Sequence, residues 1–132
     1  DEAIIINSDQ LVFFDLKKID RTKCSAGLYF NDTASSCFFD LDVQNGIVKD
    51  LKEKEKISYY ASSGVFYFTS TKEILRCVNW AITKELYYNG EIYLGPCMAY
   101  FKDLSYFQTL VKFDLGSAYK INLFKNFFGG VK

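Results

Sequence analysis

Histidine is absent from all 132 residues. Its absence removes the commonest general base, metal ligand and near-neutral pH switch. Net charge is absent too, because 16 basic and 16 acidic residues cancel. A neutral chain has no net field to draw it to a phosphate backbone or an anionic lipid surface, so nucleic acid is not an expected partner. Long apolar runs are also missing. The longest are a few residues, against the roughly 20 that cross a bilayer, so no direct membrane insertion by this segment is expected. Neither an EF-hand loop nor a phosphate-binding glycine loop occurs, and no cofactor is predicted. Asp1-Glu2-Ala3 lacks the basic and apolar regions of a leader, and reads as a mature end or an excised domain. Phe127 to Lys132 reads as a second cut end.

What the chain has is aromatic mass: 13 Phe and 10 Tyr. Each ring can bury about 150–250 Å², and rings fit pleated sheets better than helices. The length suits a single globular domain over residues 1–132, which should bury roughly two-thirds of its unfolded surface.

Cys24, Cys37, Cys77 and Cys97 form an even set with wide gaps. Zinc sites present closely spaced cysteine pairs, usually completed by histidine. This chain has neither, so no metal site is predicted. The even count predicts structural disulfides, and sequence-local spacing favours Cys24–Cys37 and Cys77–Cys97. Each would stabilise the fold by about 2–4 kcal/mol, though the crossed pairings stay open.

Along the chain, residues 11–16, 27–30 and 37–43 read as strands. The Asn7-Ser8-Asp9 cluster reads as a turn. The balanced charge run from Lys49 to Lys56 reads as a solvated edge. Residues 57–60 and 65–68 flank Ser62-Ser63-Gly64 as a hairpin. Ser70-Thr71-Lys72-Glu73 has capping-box spacing. It opens an amphipathic helix over 71–88 with Ile74, Val78, Ala81 and Ile82 on one face, and Asn89-Gly90 stops it. Pro96 opens a short helix. Alternation in 111–115 and 119–123 predicts a C-terminal hairpin with one wet face. The sum is an α+β domain: an antiparallel sheet of about six to eight strands with one main helix packed on it.

Catalytic patterns are weak. Ser117-Ala-Tyr-Lys120 spells S-x-x-K, but that motif needs the serine at a helix start and partner motifs elsewhere. Asp40 and Asp42 share one face of a strand, as two acids of a hydrolase or a calcium site would. Alternation with Phe39 and Leu41 explains them as a wet face. Lys17, Lys18, Arg21 and Lys23 are interrupted by Asp20 and read as a solvated loop. Asn31-Asp32-Thr33 is a glycosylation sequon. Tyr59, Tyr60, Tyr87, Tyr88, Tyr93 and Tyr100 are the candidate binding residues, because tyrosine is amphipathic and stiff.

These features together predict a non-enzymatic, disulfide-stapled recognition or assembly module of a secreted or surface protein. It would be extracytoplasmic and would bind a protein partner or itself through exposed aromatics. The alternatives are a small apolar-ligand carrier with an aromatic-lined cavity, or the head of a filament-forming subunit.

Overall fold

The computed structural model describes residues 1–129; residues 130–132, the end of the Phe127–Lys132 segment, lie outside the described residues. Seven strands form one mixed, mostly antiparallel sheet: β1 (Ala3–Ile6), β2 (Gln10–Phe14), β3 (Ser25–Phe30), β4 (Cys37–Asp42), β5 (Ile47–Glu53), β6 (Tyr60–Phe68) and β7 (Ser105–Asp114). Three helices accompany them: α1 (Thr71–Thr83), the single turn α2 (Leu94–Cys97) and α3 (Ala118–Phe128). The strand order is β2-β7-β3-β6-β4-β5, with β1 pairing the far half of β6. The α+β class, the strand count and the single main packing helix agree with the sequence reading.

The strand β6 is central, and residues 63–68 are buried without interruption, as a strand covered on both faces requires. It is one strand and not the predicted hairpin. Gly64 has φ +76°, a left-handed residue that makes a bulge inside the strand instead of a reversal. The pairing with β3 slips at the same level, between Ala26 and Leu28. Strands β3 and β4, consecutive in sequence, do not pair with each other; both pair with β6, while β4 makes a hairpin with β5. The charged residues of β5 occupy an edge, where lysines discourage further strand pairing.

One face of the sheet carries the main core. Phe39, Phe66, Phe68, Leu28 and Ala26 pack against Cys77 and Ala81 of α1, with Ile74 and Val78 beside them. The i, i+3, i+4, i+7 spacing of those four helix residues is the amphipathic stripe that buries α1. The helix ends at Thr83, short of the predicted 88. Glu85 turns left-handed at φ 55°, and the Glu85 and Leu86 N–H groups donate to Ile82 O and Ala81 O, both at 3.0 Å. That is a Schellman stop. Asn89-Gly90, both at positive φ, instead turns the chain so that Tyr88 bridges Glu91, the habit of Asn-Gly in tight hairpins. Ser70 precedes α1 with extended backbone but makes no side-chain cap bond.

All four cysteines are free and buried. The predicted disulfides are therefore corrected. All four sit in the apolar core, Cys37 at the start of β4. They pack as small hydrophobes, and burial pushes the Cys77 thiol up to about 12.

The predicted C-terminal hairpin is also corrected. Ser117 caps a helix, its hydroxyl accepting from the Lys120 N–H at 3.2 Å. Phe124 and Phe128, one turn apart, both meet the Phe113 ring of β7. The helical spacing of those rings prevails over the local alternation of 119–123.

Candidate functional site

Six separate pieces of chain meet around one cleft of the sheet. The turn after β1 brings Asn7 against the β6 bulge, where the Asn7 N–H donates to Gly64 O at 3.0 Å. Gln10 closes the same corner by donating its side-chain amide to Ser63 O. Only glycine fits the bulge: a Cβ on Gly64 would stand 2.6 Å from Asn7 Nδ2 and 2.7 Å from Gln10 Oε1. From the other side come the start of β4 and the end of β5, where Cys37 and Glu53 are directly opposed. The Tyr93-Leu94-Gly95 segment leads into α2, and Lys112 enters from β7. The result is a cleft of about 210 Å³ lined by Asn7, Glu53, Ser62, Tyr93, Gly95 and Lys112, among others.

Larger grooves exist, of about 380, 340 and 390 Å³. Two of them, at Leu28–Thr109 and at Phe113–Phe128, are lined mainly by apolar side chains. The smaller cleft is distinguished by its chemistry. Glu53 is half-buried, and desolvation raises its carboxyl above the ordinary value, while Lys54 and the Cys37 thiol pull it back. Lys54 stands at the rim with its ammonium 5.3 Å from the Tyr93 ring centroid. A half-desolvated carboxylate with cations nearby is an arrangement found at binding sites.

Beside the cleft lies a second feature. Asp9 follows Asn7 in the turn, and Asp114 follows Lys112 by two positions on the strand. Gln10 pairs Asp114, and the Leu115 N–H donates to Asp9 O at 2.8 Å. The two carboxylates converge over Gly116: a Cβ there would lie 3.0 Å from Asp9 Oδ2 and 3.3 Å from Asp114 Oδ1. The Lys120 side chain pairs with Asp114, and that bond, with the Gly116 N–H, holds the Asp114 carboxyl below its ordinary value. It is therefore ionised at neutral pH. Among the described residues no group of three or more His, Cys, Asp or Glu forms a metal cluster. Two carboxylates do suit a magnesium-like ion, which keeps waters and takes further oxygens from a substrate phosphate.

The predicted site residues divide. Tyr93 lines the cleft, and Tyr88 adjoins it, its phenol raised by burial and by Glu53 and Cys37. Tyr59 and Tyr60 are exposed on the sheet, Tyr59 stacked on Phe30. Tyr87 is exposed after α1, and Tyr100 packs on Trp80 and Phe101. Asn31 holds its own turn, donating to Tyr29 Oη at 3.0 Å and accepting from the Thr33 N–H at 3.0 Å. Asp40 pairs with Lys49 and Asp42 caps the turn at Asn45, so the two acids act separately. Ser117 does stand at a helix start, but its hydroxyl caps that helix and Lys120 turns to Asp114. The arginine of the basic cluster pairs with Glu2. Sequence reading missed Asp9, Glu53, Gly64 and Asp114. Signals were present in the Asn-Ser-Asp turn and in an acid at the end of an aromatic strand, but only the tertiary fold joins them.

No protein-family model matches the sequence, and no curated protein matches it. Solved structures do share its fold. A nucleoside-diphosphate-sugar pyrophosphorylase from Vibrio cholerae RC9 superposes with a TM-score of 0.76 at 15% identity, covering 95% of this chain and 56% of that one. A Bacillus anthracis protein described as a glucose-1-phosphate thymidylyltransferase, solved with sucrose, gives 0.66 at 18% identity, covering 100% and 56%. The chain thus spans about half the length of either structure.

These findings correct the functional expectation. The staple of the predicted secreted module is missing, because the cysteines are free. The fold, over nearly its whole length, is one found in proteins described as enzymes, so the non-enzymatic reading is overturned. The extracytoplasmic placement rested on the disulfides and falls with them, because all four cysteines are free. The carrier alternative required an aromatic-lined cavity, whereas the aromatic site at Phe30, Tyr60 and Tyr106 is a half-open groove and not an enclosed cavity. The filament-head alternative is superseded by the same fold likeness.

Proposed function

We propose that this chain supplies the sugar-phosphate and cation side of a nucleotidyl-transfer site that makes or breaks a nucleoside-diphosphate sugar. The observation that carries the reading is the placement of the Asp9–Asp114 carboxylate pair beside a polar cleft that holds the half-buried Glu53. In this reaction class an oxygen of a sugar 1-phosphate attacks the α-phosphorus of a nucleoside triphosphate. The new P–O bond forms as the bond to pyrophosphate breaks.

Little covalent work falls to the protein in phosphoryl chemistry; positioning and electrostatics dominate. Glu53 accepts from sugar hydroxyls inside the cleft. Lys54 at the rim and Lys112 on β7 attract the phosphate as cations. Gly64 and Gly95 keep the floor free of side chains. Asp9 and Asp114 would hold a divalent cation, which when bound neutralises charge on phosphate oxygens. Lys120 must then release Asp114, which is easy because exposed ion pairs contribute about 0–1 kcal/mol. The reading assigns no residue of this chain to the nucleobase. The names of the two similar structures support the substrate class.

The test is titration calorimetry with glucose 1-phosphate, with and without Mg²⁺, on the wild-type chain and on Glu53→Gln and Asp114→Asn. Cation-dependent binding that both substitutions weaken is expected. Absence of binding in the wild type, or binding indifferent to both substitutions, overturns the reading.

A further inference from the structure

One side chain of the cleft has no part in the reading above. Cys37 and Glu53 face each other as direct partners across the β4–β5 ladder. Opposed residues on an antiparallel pair hold their Cβ atoms roughly 4.5–5.5 Å apart. Both groups also converge on Gly95: a Cβ there would lie 3.1 Å from Cys37 Cβ, 3.2 Å from its Sγ and 3.9 Å from Glu53 Oε2. The residue is almost wholly buried, at 5% exposure, and lines the cleft beside Glu53.

We propose that Cys37 is the positioning residue of the cleft: its thiol, facing the Glu53 carboxylate from the opposing strand, fixes that carboxylate toward the sugar hydroxyls. The proposal rests on the sugar-phosphate reading of the same cleft. Of the four cysteines, Cys37 is the one that lines the cleft, and an apolar residue of equal size cannot perform this task.

The chemistry favours this role over a nucleophilic one. A reactive cysteine needs thiolate character, and burial followed by the nearby Glu53 charge drives the Cys37 thiol strongly upward. It stays protonated and acts as a donor. Glu53 meets three other titratable groups. Cys37 of β4 and Lys54 after β5 favour its ionised form, and Tyr88 after α1 carries a neutral phenol. Lys112 of β7 lines the same cleft with its ammonium 5.0 Å from the Tyr29 ring centroid. Removing the thiol takes away one of the forces that offset desolvation. The Glu53 titration then moves to higher pH. A serine hydroxyl, nearly isosteric and a better donor, keeps it in place.

The experiment follows the Glu53 side-chain carboxyl by ¹³C NMR through a pH titration, in wild type, Cys37→Ala and Cys37→Ser, without ligand. Glucose 1-phosphate affinity is measured on the same three proteins across the same pH range. Expected is an upward shift of the Glu53 titration by roughly half a unit or more in Cys37→Ala, with the acid limb of binding shifting equally, and rescue of both by Cys37→Ser. Coincident Glu53 titrations in wild type and Cys37→Ala overturn the proposal whether or not sugar phosphate binds. An alanine effect that serine does not rescue reduces Cys37 to packing and also overturns it. A shifted and rescued titration in a protein that binds no glucose 1-phosphate upholds the thiol–carboxylate pairing and overturns the sugar-phosphate reading.

Discussion

Asp9 and Asp114 come from opposite ends of the chain and aim their carboxylates at the same glycine, Gly116. The pairing of β2 with β7 makes this possible, because Gln10 lies opposite Asp114 and the Asp9 carbonyl receives the Leu115 N–H. Two like charges over one point repel unless a cation stands between them. Lys120 now offsets one of them. Asp9→Asn and Asp114→Asn should each weaken Mn²⁺ binding at least tenfold, measured by paramagnetic line broadening or calorimetry. Lys120→Gln should strengthen it several-fold, since it removes a competing cation. Unchanged Mn²⁺ affinity in all three would remove the cation from the site.

The Asp114–Lys120 pair also predicts a pH dependence of stability. Asp114 titrates below its ordinary value, first because of its hydrogen bond to Lys120. Its contribution is therefore present above the unfolded carboxylate value and is lost as pH falls. Lys120 titrates above its ordinary value, first because of the same bond. Its contribution is full below the unfolded lysine value and is lost as pH rises through the folded one. Lys120→Gln should lower Tm between about pH 4 and pH 10 and converge with wild type outside that window. Because the pair is exposed, 0.5 M salt should shrink the difference. Circular dichroism melts over a pH series measure it.

Much of the fold was legible because its local signals are strong. Aromatic and β-branched runs marked the strands, and Ile74, Val78 and Ala81 marked the buried face of α1. What failed were signals with two local meanings. Ser62-Ser63-Gly64 reads equally as a turn or as a bulge, and only the partners of β6 on both sides decide for the bulge. Asn89-Gly90 reads as a helix stop or a hairpin turn, and the Schellman stop at Glu85 leaves it the second role. The alternation in 119–123 gave way to a helix because Phe113 offers Phe124 and Phe128 a ring to pack on. The site was least legible of all. Asp9 passed as a turn residue, Glu53 as part of a charge run and Asp114 as the wet face of a strand. Each is an ordinary residue alone, and the chemistry appears only when the sheet order brings them together.

The free cysteines make a further prediction. Unreduced protein alkylated in denaturant should gain four labels, since all four thiols are free. Folded protein at neutral pH should label slowly. All four are buried, and desolvation raises Cys37, Cys77 and Cys97, which keeps the thiolate fraction small. Protection should vanish across the unfolding transition, monitored by intact mass. Zero labels in denaturant would restore the disulfide framework.

Gly64 is where fold and cleft depend on a single residue, and a matched glycine separates its two constraints. Gly64 and Gly90 hold nearly the same left-handed backbone, at φ +76° and +77°. A Cβ on Gly90 meets nothing within 4 Å, whereas one on Gly64 meets Asn7 and Gln10 side-chain atoms at 2.6–2.8 Å. Gly90→Ala therefore reports backbone strain alone, about 1–2 kcal/mol. Gly64→Ala adds the displacement of Asn7 and Gln10, for a loss of about 2–4 kcal/mol by chemical denaturation. The two variants should also part in binding. Gly90→Ala leaves glucose 1-phosphate affinity near wild type, while Gly64→Ala, which pushes Asn7 out of the cleft corner, lowers it. Equal destabilisation by the two substitutions would mean that the β1–β2 turn yields freely and that the Asn7–Gly64 contact does not hold the corner of the cleft in place.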